Sequence, residues 1–178
     1  MQHSVYEAQA PLRALYGSSP ERALVTDQAR TCGADASDPF HSQVLPAQDG
    51  AGAIPFGVHR AVGGPYDAPC PGDLLCAALA ACQDSSIRMV ANRMDIELIA
   101  LEVHVQATVD VRGALGIDKD VPVGFQFITS DIRLQAKEGT PPEMLEKLRW
   151  AAQRCCVVEQ TLRSPPAVQT KFHTAALG

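Results

Sequence analysis

Polar and apolar residues alternate without a fault from Leu101 to Arg112, the cleanest pattern in the chain. Leu101, Val103, Val105, Ala107, Val109 and Val111 are apolar; Glu102, His104, Gln106, Thr108, Asp110 and Arg112 are the polar residues that follow each of them. A period of two predicts a strand with one face on a core and the other toward solvent. Gly113 to Asp120 reads as the turn that follows, and a second strand is predicted from about Val121 to Lys137. Its apolar positions are odd-numbered through Phe127 and even-numbered from Ile128 to Ala136, which predicts a bulge near Thr129 or Ser130.

Helical spacing takes over on either side of this hairpin. A helix is predicted from about Pro71 to Met94, opened by a proline whose missing N–H costs nothing in the first turn. Leu74 to Cys82 is apolar all round, so this half is expected to be buried on every side. Beyond Gln83 the helix turns amphipathic, with Ile87, Val90 and Ala91 set against Arg88, Asn92 and Arg93. After the hairpin, Thr140-Pro141-Pro142-Glu143 has the form of a capping box with proline at the first helical position. Met144, Leu145, Leu148, Ala151, Ala152 and Cys155 fall on one face of the helix it opens. Val157 to Leu162 continues as a short helix stopped by Pro165-Pro166, and Val168 begins a predicted closing strand.

The first part of the chain is patterned more weakly. Residues 1–20 read as a peripheral segment, with a helix from about Val5 to Tyr16 that Pro11 interrupts. Short strands are predicted at Ala23–Val25, Gln43–Leu45 and Ile54–Val58, among many Gly, Pro, Asp and Ser residues. Residues 21–178 read as a single domain. Strands, a buried helix, a long hairpin and then a helix and strand predict an α+β fold rather than repeated βαβ units.

Composition narrows the function. The 178 residues suffice for one domain with a useful core. A net charge of -5, 5% aromatic residues and no basic block argue against a nucleic-acid partner. The longest wholly apolar run, Leu74 to Cys82, has nine residues, well short of the about 20 that span a bilayer. The N-terminal MQHSVYEAQAPLRALYG lacks the basic start and apolar stretch of a secretion signal, so a cytoplasmic protein is expected. Six cysteines in such a chain (Cys32, Cys70, Cys76, Cys82, Cys155 and Cys156) read as thiols rather than staples. No CxxC or HxxxH spacing offers a nucleus for zinc, and no cofactor is expected.

Two of those thiols carry the chemistry. Cys82 closes the apolar run PGDLLCAALAAC, and Cys156 lies 74 residues downstream in AAQRCCVVEQTLR. Thiols on separate helices meet only through tertiary packing, and such a pair points to thiol redox chemistry. Helical register puts Cys155 with Leu148 and Ala152 on the core face, whereas the spacing to Thr161-Leu162 selects Cys156. A break at the helix end would reset the register in favour of Cys156, and Cys155 remains an alternative second thiol. Cys82 lies about three turns into its helix, beyond much help from the N-terminal dipole, so its ionisation calls for a cation from elsewhere. Cys70 and Cys76 read as a turn residue and a packing residue. His104 falls on the solvent face, and His59 in the early strand region. Trp150, Phe125 and Phe127 are expected to pack; Asp84 and Asp95 read as solvated charges.

Pro71-Gly72-Asp73 followed by the helix ending Ala80-Ala81-Cys82, then Cys156 with the short helix to Leu162, resembles the OsmC/Ohr superfamily. That family comprises osmotically induced protein C and the organic hydroperoxide resistance proteins. The resemblance covers roughly Gly63 to Thr170. It implies antiparallel sheets around a long buried helix, in an intertwined homodimer. It also implies reduction of organic or lipid hydroperoxides, with Cys82 as the peroxidatic and Cys156 as the resolving cysteine, regenerated by an external dithiol. In the peroxidase members a Glu directly after the motif proline pairs with an Arg to activate the thiolate. Here that position is Gly72, and Arg22, Arg30 and Arg60 are the candidate cations. The proline that usually follows the second cysteine is Val157. The alternative, favoured by Gly72, is a non-catalytic dimer that binds a small apolar or acyl ligand on the same fold.

Overall fold

A computed structural model of the chain describes residues 4–33, 35–46 and 52–174. The first helix, α1 (Val5–Ser18), runs through Pro11 rather than being interrupted by it. Proline removes one N–H from the helical ladder. The helix start is well satisfied in compensation: the Ser4 hydroxyl accepts from Glu7 N–H at 3.3 Å. Asn92 Oδ1 accepts from Val5 N–H at 2.8 Å, which ties α1 to the end of the long helix.

A 3-10 turn at Pro20–Ala23 leads into extended chain, and Leu24 and Val25 are exposed, so the predicted strand at Ala23–Val25 does not form. Three short strands follow: β1 (Ala29–Thr31), β2 (Ser42–Pro46) and β3 (Ile54–Phe56). They make an antiparallel sheet in that order. The predicted segments at Gln43–Leu45 and Ile54–Val58 fall on β2 and β3, while β1 has no alternation to announce it.

The long helix α2 spans Pro71–Arg93, within one residue of its predicted end. Its N-terminus is tied by Asp73, whose Oδ2 accepts from Cys70 N–H at 2.8 Å. The expectation that Leu74 to Cys82 is buried on every side fails for this chain alone. Leu79 is buried, but Ala77, Ala78 and Ala81 are exposed. The chain's own elements cover only one face of this half.

Strand β4 (Leu98–Thr108) half-buries its odd-numbered residues from Leu101 to Ala107 and exposes Glu102, His104, Gln106 and Thr108, the alternation that the sequence predicts. The alternation outlasts the strand. Asp110 carboxylate accepts from Arg112 N–H at 3.1 Å and turns Val111–Ala114 into a single helical turn, α3. Strand β5 (Phe127–Ala136) pairs with β4 from Thr108↔Phe127 to Leu98↔Ala136. The bulge lies at Ile99 in β4, between Leu98 and Ala100, and the register is unbroken at Thr129 and Ser130. Val121, Val123 and Phe125 belong to the loop before β5. The change of parity therefore marks where the strand starts.

Helix α4 (Pro142–Cys155) begins one residue later than predicted, with Pro142 in its first turn and no side-chain cap. The Thr140 hydroxyl donates to Lys137 carbonyl at 2.7 Å instead, so the predicted capping box is not formed. Helix α5 (Val157–Arg163) follows as expected. No closing strand forms at Val168 among the described residues; the chain there has no regular structure and is exposed. The core joins Ile87, Val90 and Ala91 of α2 to Ile96, Leu148 and Ala152, with Leu101 and Leu134 of the hairpin packed against it. The result is an α+β architecture of antiparallel sheets and one long helix.

Candidate thiol site at the junction of two helices

Cys156 alone separates α4 from α5. Its backbone is extended (φ -76°, ψ 100°), so the helix stops there for one residue. Its N–H still donates to Ala152 carbonyl at 3.1 Å, and its carbonyl accepts from Gln160 N–H at 3.0 Å. The β-branched pair Val157-Val158 holds a helix weakly and eases the break. The break re-phases the faces. Cys155, in register with the core on a continuous helix, is exposed; Cys156 is buried, at 1% exposure.

Half-buried Cys82 comes from α2 and is near enough to Cys156 to act on its ionisation. The fold thus brings together the two thiols 74 residues apart. Burial, more than anything else, pushes the Cys156 thiol up to about 11. The Glu159 N–H, which favours the thiolate, offsets part of this, while Cys82 and the Glu159 charge add to the rise. At neutral pH Cys156 keeps its proton. Its alkylation by iodoacetamide is expected to rise about tenfold per pH unit from pH 7 and to level only near pH 11. A plateau at the ordinary thiol value of about 8.5 would contradict this burial. Between those two values the native chain holds a proton that the unfolded chain releases, so stability falls as pH rises through the window.

Two residues of this site escaped the sequence reading. Gln83 is 6% exposed and Glu159 is 7% exposed. Gln83 Nε2 donates to Glu159 Oε2 at 3.0 Å, and Arg163 Nε donates to Glu159 Oε1 at 3.0 Å. The available signal was a polar residue on an apolar stripe: Gln83 lies one turn beyond Leu79 and one turn before Ile87, both buried. A cleft of about 390 Å³ opens beside the pair. Leu134, Leu145 and Leu148 give it an apolar wall, and Gln83, Glu159 and Cys156 are among its polar lining.

The start of α2 lacks the activating acid. A Cβ placed on Gly72 would lie 3.0 Å from Phe125 Cζ and 3.5 Å from Cys70 Sγ, so the ring of half-buried Phe125 fills the space. Asp73 is committed to the helix start. Burial works to raise its pKa, but bonds from the Cys70 N–H and thiol and from the Tyr66 hydroxyl hold it below the usual carboxylate value. Among the described residues no hydrogen bond or ion pair joins Cys82 to Arg22, Arg30 or Arg60. Arg60 Nε points to Pro65 carbonyl at 3.4 Å.

The remaining candidates have other surroundings. Cys70 precedes α2, and half-buried Cys76 packs within it. His59 Nδ1 accepts from Ala61 N–H at 3.0 Å, and its ring meets Tyr66 at 4.4 Å. His104 lies on the exposed face of β4, opposite Asp131. Asp84 is paired with Arg88 at 2.7 Å. Asp95 takes a left-handed backbone just after α2 (φ 56°). Trp150 is 63% exposed under the Arg154 guanidinium, and Phe127 is also exposed, so neither packs as expected. Both project from the outer side of their elements, away from the residues that the single chain buries. By length and composition α2 is long and apolar enough to cross a membrane, yet here it packs on β4, α4 and α5.

Comparison with known proteins gives a consistent answer. The family described as OsmC-like protein matches residues 64–171, which hold α2, the hairpin and both thiols. No curated protein sequence matches the chain. An OsmC-like protein from Mycoplasma pneumoniae has a similar structure, with a TM-score of 0.62 and 13% identity over 79% of this chain and 89% of that one. The organic hydroperoxide resistance protein of Legionella pneumophila gives a TM-score of 0.53 and 24% identity over 79% and 91%. OhrB of Bacillus subtilis, also an organic hydroperoxide resistance protein, gives 0.50 and 21% over 79% and 93%. With its sheets, its long central helix and its sequence match across both motifs, the chain belongs to the OsmC-like protein family.

Proposed function

We propose that the protein is a thiol-dependent peroxidase that reduces organic hydroperoxides with Cys82 and Cys156. One observation carries the reading: two thiols from distant segments are neighbours, and one of them, Cys156, lines a cleft with apolar residues from the hairpin and α4. The names of the Legionella and Bacillus relatives support a role in peroxide stress. Cys156, holding its proton up to about 11, is poorly suited to attack first, which leaves that step to Cys82. The Cys82 thiolate takes the terminal oxygen of the hydroperoxide and becomes a sulfenic acid, and the alkoxide leaves to be protonated to the alcohol. The Cys156 thiol then displaces water from the sulfenic acid and closes a disulfide. An external dithiol exchanges with that disulfide, is itself oxidised, and returns both thiols.

The working form in this reading is a cytoplasmic, intertwined homodimer, with residues 21–178 as its domain and residues 1–20 peripheral. The exposed face of α2 at Ala77, Ala78 and Ala81 supports a partner chain there, because an apolar helix face left in water is unfavourable. The test is peptide mapping by mass spectrometry after one equivalent of cumene hydroperoxide. A fast, stoichiometric Cys82–Cys156 linkage is expected. Six reduced thiols with the peroxide intact would instead favour a second reading, a dimer that binds an apolar or acyl ligand without turnover. Phe125 occupying the space beside Gly72 is the feature that favours that alternative.

A further inference from the structure

A seven-residue helix cannot hold itself together in water, so α5 depends on what it packs against. Helices usually dock by an apolar stripe, yet the one buried residue of α5 is the acid Glu159. Val157 is exposed, and Val158 and Leu162 are only half-buried. The Glu159 carboxylate is held at both oxygens: Gln83 Nε2 donates to Oε2 at 3.0 Å, and Arg163 pairs with Oε1 at 2.9 Å. Among the described residues, the Gln83–Glu159 bond is the one hydrogen bond that joins α2 to α5. Gln83 directly follows Cys82, and Glu159 follows Cys156 by three residues, so the bond ties the two thiol-bearing turns together. Packing strength does not explain this choice of residues. Gln83 shares a stripe with buried Leu79 and Ile87, and its Oε1 is buried without a hydrogen-bond partner. An apolar pair of the same size would avoid that loss and the loss of burying a charge.

We propose that the Gln83–Glu159 bond is a clamp that sets the reach between Cys82 and Cys156, which makes both residues positioning residues for disulfide closure. The inference rests on the peroxidase reading for the step that the clamp serves. In that step the Cys156 sulfur bonds to the Cys82 sulfur and the S–O bond of the sulfenic acid breaks. The hydroxyl leaves as water with the Cys156 proton. A disulfide accepts only a narrow range of separations, about 4.4–6.8 Å between its Cα atoms. Cys156 sits at a one-residue break between two helices, so α4 constrains it from one side only. The clamp supplies the constraint from the other side of the break. Attack on the hydroperoxide uses Cys82 alone and does not call on it.

The test brings the Cys82–Cys156 pair to equilibrium with reduced and oxidised glutathione, read by peptide mapping, beside single-turnover kinetics with cumene hydroperoxide. Gln83→Met and Glu159→Met keep the volume and each remove one side of the clamp. Each should lower the equilibrium constant for closure about tenfold, which raises the reduction potential of the pair by about 30 mV. Each should also slow closure about tenfold and leave attack unchanged, so that dimedone captures the sulfenic acid on Cys82. Glu159→Gln keeps an acceptor for Gln83 Nε2 and should stay close to wild type. The double variant Gln83→Met/Glu159→Met leaves neither partner buried and unpaired, so it keeps a readout if a single variant folds poorly. It should close as slowly as the single variants, because they break the same bond. Wild-type closure in the folded double variant would overturn the clamp. So would equal slowing of attack and closure, which would make the pair a general support of the fold. A pair that equilibrates with glutathione and weakens in the variants, while the hydroperoxide persists, would end the peroxidase reading and keep the clamp. Turnover through a Cys82–Cys156 disulfide that is indifferent to all these variants would do the reverse.

Discussion

Cys82→Ser is expected to lower cumene hydroperoxide consumption about a thousandfold or more, to the rate of buffer with reductant. A serine hydroxyl is close in size to the thiol but stays protonated at neutral pH, and it cannot form a sulfenic acid. Cys156→Ser is the informative counterpart. It leaves the first step intact, so one equivalent of peroxide is consumed and the sulfenic acid on Cys82 persists long enough for dimedone to capture it. The two variants therefore separate attack from resolution. An unchanged rate in Cys82→Ser would sink the assignment of the attacking thiol. Capture of dimedone on Cys155 or Cys156 instead would reverse the order of the pair.

The largest expected effect on stability is at Leu148. Its side chain is 1% exposed and packs in the cluster that joins α2 to α4. Leu148→Ala should lower the unfolding free energy by about 3–5 kcal/mol in urea titration. Position 148 is two helical turns before Cys156, on the same stripe as Ala152. A loss under about 1 kcal/mol would mean that α4 is not held by this core, and that the burial of Cys156 has some other cause.

Local patterning announced β4, α2, α4 and α5, each by a period its own residues carry. It failed where one side-chain contact decided the outcome. Asp110 ends β4 by capping Arg112 N–H, although Val109 and Val111 continue the alternation. Thr140 has the form of a cap but bonds back to Lys137. Pro11 would break a ladder, but α1 has a good start at Ser4 and Asn92, and Asn92 lies 87 residues away from Val5. At the site, periodicity and motif spacing disagreed over Cys155 and Cys156, and the one-residue break in the helix explains both signals. The Gln83–Glu159 pair was out of reach, because it joins α2 to α5 across 76 residues.

Phe125 standing over Gly72 makes positions 72 and 125 a single energetic choice, although they are far apart in sequence. Substitutions at residues in contact do not add, so the two belong in one thermodynamic cycle. An acid introduced at 72 with the ring kept would have to displace it; the ring removed with glycine kept would leave a hole. Each single step runs downhill in stability, and only the joint exchange crosses to the acid-bearing arrangement. The glycine and the aromatic ring are thus one choice of packing written at two sites.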